Sequence, residues 1–89
     1  MKQVLIDCSK MVDEASVHNA FSEALEFPPY YGRNLDALYD VLTEIGEETE
    51  IILSEPAAVV RQMGKYGEAL LATMQEAAED NPKLIVTLQ

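Results

Sequence analysis

The chain holds one cysteine, one histidine, six lysine and arginine residues together, and no long apolar run. A lone Cys8 cannot close an internal disulfide, which suits a reducing compartment. A lone His18 with no cysteine cluster leaves no metal-ligand spacing, and no thiol–imidazole pair can be read from the sequence. The apolar stretch within Met1–Lys10 is too short for a signal peptide, and no segment reaches transmembrane length. A cytoplasmic location without membrane contact is expected. The four glycines form no phosphate-binding loop, dinucleotide fingerprint or nucleophile elbow. No cofactor is expected, and no catalysis.

Bases are scarce and acids are not. Sixteen aspartates and glutamates give a net charge of −10 on 89 residues. Such a field repels phosphate, which argues against a direct nucleic-acid ligand and for a basic protein as partner. Between Arg33 and Arg61 stand Asp36, Asp40, Glu44, Glu47, Glu48, Glu50 and Glu55 with no lysine or arginine among them. That run reads as one concentrated negative field in the middle of the chain. Apolar content is ordinary, and the length suits one domain over residues 1–89 with a single small core.

The stretch Phe27–Leu42, FPPYYGRNLDALYDVL, organises the rest. Pro28 and Pro29 bar helix before them, Gly32 permits a turn, and Asn34 is placed to cap a helix starting at Leu35. Leu35, Leu38, Leu42 and Ile45 share one helical stripe with Val41 beside it, so this face is core. Asp36, Asp40 and Glu44 recur at steps of four on the opposite face. Like charges at that spacing cost about 0.2–0.5 kcal/mol per pair. Asp36 recovers part of this from the positive end of the helix dipole, and Glu44, at the negative end, recovers none. A face of one sign, with Tyr39 on its edge and Tyr30 and Tyr31 in the loop before it, is a protein-binding surface: rings supply area, charges supply register and encounter rate.

The remaining elements follow from pattern. Val4, Leu5 and Ile6 read as a strand buried on both faces, with Cys8 a small buried hydrophobe at its end. Asp13 caps a first helix with Val17, Ala20, Phe21, Ala24 and Leu25 inward, His18 toward solvent and Pro28 as its stop. The second helix closes near Gly46. Ile51–Leu53 form a second strand, joined to the first by a helical crossover and therefore parallel and right-handed. Ser54-Glu55-Pro56 starts a short third helix ending at Gly64, expected to be the least regular element. Gly67 opens a fourth helix with Leu70, Leu71, Met74, Ala77 and Ala78 inward and Thr73, Glu76 and Asp80 on one flank. Asn81 and Pro82 stop it, and Leu84–Leu88 make the last strand. The order β-α-α-β-α-α-β, with three strands and four helices, is an α/β fold with a small parallel sheet.

The run FPPYYGRNLDALYDVL resembles the defining segment of the barstar family, small acidic inhibitors of barnase-type (guanyl-specific) ribonucleases. The resemblance implies strand order 1-2-3, helices packed to make essentially two layers, and a monomer that binds a basic, extracellular-type ribonuclease one to one. It further implies that Asp40 takes the place of substrate phosphate in the enzyme's cationic site, that Asp36 meets a neighbouring basic side chain, and that Tyr30 packs on the catalytic histidine. Asn34 and Leu35 would make close contacts at the helix start. Thr73, Glu76 and Asp80 would lie at the edge of the interface, Glu76 as a peripheral ion pair. Tyr39 and Ile45 stand where family members commonly carry tryptophan, and Arg33 adds a positive charge beside the loop. Two other readings are an acidic regulatory module on the same scaffold and an immunity protein for a toxin nuclease of another fold.

Overall fold

A computed structural model describes residues 1–89. Strand β1 (Lys2–Asp7) leads through a 3-10 turn at Cys8–Lys10 to α1 (Glu14–Leu25) and α2 (Leu35–Thr43). Strand β2 (Thr49–Ser54), α3 (Pro56–Met63), α4 (Lys65–Asp80) and β3 (Leu84–Leu88) complete the chain. The strands form one parallel sheet in the order β1-β2-β3, with Val4 opposite Ile51 and Ile51 opposite Val86. The element order is the one read from the sequence, apart from the 3-10 turn, which has no pattern of its own.

The sheet is covered on one face. Val4, Ile6, Ile51, Leu53 and Leu84 join Val17, Phe21, Leu38, Leu42, Leu70 and Met74 in a single core. The other face stays open, and Leu5, expected to be buried, is 64% exposed. A continuous apolar run fits burial on both faces only when helices lie on both, and here they share one side. The open face is held by polar links instead: Gln3 Nε2 and Thr87 Oγ1 donate to the two oxygens of Glu50 at 2.9 and 2.6 Å. Those donors hold the Glu50 carboxyl below its usual range. Glu50 is therefore part of the sheet, and Glu55 sits at the entrance to α3. The run of acids from Asp36 to Glu55 is divided among separate surfaces and does not form one patch.

Helix α1 starts where its residues dictate. Asp13 Oδ1 accepts from the Ser16 N–H at 2.8 Å and Ser16 Oγ accepts from the Asp13 N–H at 3.1 Å, a reciprocal box worth about 1 kcal/mol. The helix ends in a left-handed residue, Glu26 at φ 54°, two positions before Pro28. Helix α3 begins with Pro56 at its first position, as read, but Glu55 caps it in left-handed conformation without a side-chain bond, and α3 is a regular helix. Helix α4 starts at Lys65, two residues ahead of Gly67. Gly67 has a packing role: a Cβ there would stand 2.5 Å from the Val59 carbonyl oxygen, so its absence lets α4 lie against α3.

His18 does not face solvent. It is 1% exposed, with Nδ1 2.7 Å from the Tyr31 hydroxyl and Nε2 2.8 Å from the Tyr66 hydroxyl. The first-helix stripe is wider than its apolar residues show, because the loop before α2 and the start of α4 close over His18 and bring polar partners with them. Tyr31 accordingly turns inward, edge-on to Phe27 at 4.8 Å, and does not flank the acidic face. Cys8 is fully buried, its thiol pushed up to about 11 by burial and then by the Asp7 charge, which leaves it inert.

Burial, and next the Arg33 charge, hold the His18 pKa below its ordinary 6.5, with Glu14 opposing. The unfolded chain thus binds a proton more readily than the native one. Stability is full above about pH 7 and falls as pH drops from there through the depressed native pKa, below which this group adds no further slope. Asp7, Asp13 and Glu50, all lowered by hydrogen bonds, lose their contributions only in the carboxylate range, below about pH 4. Urea unfolding between pH 7.5 and 5 should therefore show a decline that His18→Gln flattens. An unchanged slope in that variant would remove His18 as its source.

Candidate functional site

The site is built on α2 and on what holds its two ends. At the start, Asn34 Oδ1 accepts from the Ala37 N–H at 2.7 Å, so the helix begins at Leu35 as the local sequence requires. Its end is set from far away. Buried Asn81 donates through Nδ2 to the Leu42 and Ile45 carbonyls, 3.0 Å each, satisfying groups that a helix terminus leaves open. Thr43 Oγ1 donates back to the Tyr39 carbonyl at 3.0 Å. The helix stops at Thr43 rather than near Gly46, so Glu44 is its cap and Ile45 lies beyond it.

Asp36 and Asp40 are exposed, and neither is paired. Arg33, the nearest base in sequence, has φ 57° and reaches the other way, with Nη2 2.7 Å from Asn19 Oδ1 and 3.4 Å from the Ala15 carbonyl. It ties the loop to α1 and leaves the aspartates unneutralised. The chain's salt bridge joins Lys2 to Glu47 at 3.8 Å, away from the Asp36–Asp40 ridge. Asp36 also stands in the first turn of α2, where the helix dipole favours a negative charge.

On one flank of that ridge the Tyr39 hydroxyl donates to the Asp80 carboxylate, joining α2 to the end of α4. This bond raises the Tyr39 pKa, helped by burial and by the charges of Asp80, Glu76 and Asp40. Thr73 is half-buried and spends its hydroxyl on the Ala69 carbonyl at 2.8 Å. Glu76 is exposed, and Leu35 is half-buried against the core. On the opposite flank, Tyr30 is 87% exposed, and it lines a cleft with Val41, Glu44 and Ile45.

Of the residues singled out by sequence, Asn34, Leu35, Asp36 and Asp40 lie along α2, Tyr39 meets Asp80 on one flank, Tyr30 lines the cleft with Ile45 on the other, and Thr73 and Glu76 stand on α4. Sequence reasoning missed the parts that hold them in place. The His18–Tyr31–Tyr66 bonds and the Arg33–Asn19 tether fix the loop, and Asn81 fixes the end of α2. No local signal pointed to them, because each of these contacts joins residues 13 or more positions apart. No three histidine, cysteine or acidic side chains converge as a metal site, and no helix is long and apolar enough to cross a membrane.

The sequence pattern of the family described as "Barstar (barnase inhibitor)" matches residues 1–89. The chain is also 33% identical over 81 residues, 90% of its length and 89% of the other's, to a Bacillus subtilis (strain 168) protein named "Putative ribonuclease inhibitor YrdF". With three parallel strands in the order β1-β2-β3, four helices and a match that runs from the first residue to the last, this chain belongs to the barstar family.

Proposed function

We propose that the protein is a non-enzymatic inhibitor of a barnase-type, guanyl-specific ribonuclease, held one to one by the α2 face. The observation that carries this reading is the exposed, unpaired pair Asp36 and Asp40 on a helix capped firmly at both ends. A ribonuclease must draw RNA phosphate into a cationic cleft. A carboxylate presented rigidly enters the same cleft at little cost in ordering, because α2 is already fixed before encounter. In this reading Asp40 replaces a phosphate, Asp36 meets an adjacent base, and exposed Tyr30 offers its ring to the catalytic histidine. Asn34 and Leu35 pack at the helix start, Tyr39 and Ile45 flank the ridge, and Thr73, Glu76 and Asp80 form one edge. The relative named as a ribonuclease inhibitor supports the same reading.

With so few bases against its acids, the chain also steers a basic partner from a distance. Residual RNA cleavage by a panel of guanyl-specific ribonucleases, measured across ionic strength, tests the proposal. Cleavage is expected to stop near equimolar inhibitor at low salt, with association slowing as the Debye length shrinks from about 30 Å at 0.01 M toward 8 Å at 0.15 M. Undiminished cleavage of RNA by every enzyme at low salt would overturn it and favour a regulatory module with another target.

A further inference from the structure

Tyr39 and Val41 stand roughly 200° apart around α2 at 100° per residue, with Asp36 and Asp40 on the solvent arc between them. A partner seated on that ridge therefore reaches both flanks. The Val41 flank holds a cleft of about 330 Å³ between the end of α1, the loop before α2 and the residues after Thr43. Val41 and Ile45, the latter just beyond the end of α2, both line it. Half-buried Phe27, Val41 and Ile45 give it an apolar floor, and the exposed side chains of Tyr30, Glu26, Glu44 and Glu47 surround its mouth.

We propose that this cleft receives one arginine side chain of the protein that docks on α2. The proposal rests on the inhibitor reading only for the identity of that protein. The volume lies at the bottom of the range of small-molecule sites, about 300–1,000 Å³, and so fits one long side chain better than a cofactor. Three carboxylates at the mouth face one ammonium, Lys2, already 3.8 Å from Glu47, so a cation is the complementary guest. A neutral aromatic guest would strip water from those carboxylates and return nothing. Arginine lays its methylenes on Phe27 and Ile45, stacks its plane on Tyr30 and keeps donors for Glu26 and Glu44, which a lysine ammonium does less well.

The test uses the intact chain with no ribonuclease. Methyl and amide NMR signals are followed at low salt during titration with N-acetyl-arginine N-methylamide, and in parallel with its uncharged norleucine counterpart. The arginine probe should give saturable shifts at Val41 and Ile45 and bind about fivefold more tightly than the norleucine one. Glu44→Gln should weaken it about threefold, the scale of one exposed ion pair, and Ile45→Trp, which fills the cleft, should abolish saturation. Shifts confined to Asp36 and Asp40, equal affinity for both probes, or no saturation at Val41 and Ile45 would each overturn the proposal. Failure here leaves ribonuclease inhibition to be judged by its own assay, and a chain that inhibits nothing but holds arginine in the cleft refutes only the inhibitor reading.

Discussion

Asp40→Ala is expected to weaken binding to the cognate ribonuclease by about 2–5 kcal/mol, roughly 30- to 4,000-fold. The magnitude is a transferred one, since barnase–barstar charge pairs are among the interfaces that calibrate it. The reason for a large value lies in both partners. On the proposed reading the carboxylate gives up water in the complex for several cationic donors, and its removal leaves those cations buried without a counter-charge. In the free protein nothing is lost, because Asp40 is exposed and makes no ion pair. Folding stability should therefore stay within about 0.5 kcal/mol of the parent, which separates a binding defect from unfolding. Asp40→Asn keeps the shape and loses the charge, and should fall between the two. Isothermal titration against Glu68→Ala, an exposed acid early in α4, supplies the comparison. A loss for Asp40→Ala no greater than for Glu68→Ala would remove Asp40 from the centre of the interface.

Gly67→Ala should be the most destabilising single-methyl change in the α3–α4 pair, and two effects of opposite sign decide it. Alanine inside a helix is favoured over glycine by about 1 kcal/mol. Against this, the new Cβ would lie 2.5 Å from the Val59 carbonyl oxygen, 2.7 Å from its carbon and 2.9 Å from Val60 Cα, all backbone atoms that cannot swing aside. Overpacking of this kind costs about 1–3 kcal/mol and more when backbone must move. The steric effect wins, and a net loss near 2 kcal/mol lowers Tm by roughly 8–16 °C in a domain of this size. Because α4 carries Asp80 to Tyr39 and leads into Asn81, the displaced helix should weaken partner binding as well. Calorimetry showing a raised Tm would mean that propensity outweighs the contact.

What could be read from the sequence was what local chemistry decides. Asn34 and Asp13 cap helices through N–H groups three residues on, so both starts were legible without any fold. The exposed aspartates were legible for the same reason: the helical period alone sets them opposite Leu38 and Leu42. Distant partners decided the rest. His18 is polar and lies beside the apolar stripe, and only the arrival of Tyr31 and of Tyr66, 48 residues away, makes its burial tolerable. The end of α2 depends on Asn81, 39 residues from Leu42, and the exposure of Leu5 depends on every helix choosing one side of the sheet. Charge shows the same division. The acids could be counted from composition, and the helical period set Asp40 in solvent, but that Glu50 belongs to a sheet ladder follows only from strand register. The strand order itself came from family likeness, since pattern fixes parallel pairing and not which strand lies in the middle.

These features describe a scaffold that spends its polar contacts on fixing one helix and leaves that helix's own charges free. His18 and Arg33 hold the loop, Asn34 the start, Asn81 the end and Tyr39 the flank. Mimicry of phosphate by a carboxylate needs such rigidity, because a mobile acid would lose entropy on docking and surrender much of the gain. The most direct measurement is equilibrium dialysis of a guanosine monophosphate against a ribonuclease that the protein inhibits, with and without equimolar inhibitor present. Exclusive occupancy is predicted, with the nucleotide absent from the complex and Asp40→Ala restoring its binding. A ternary complex holding nucleotide and inhibitor together would contradict the account.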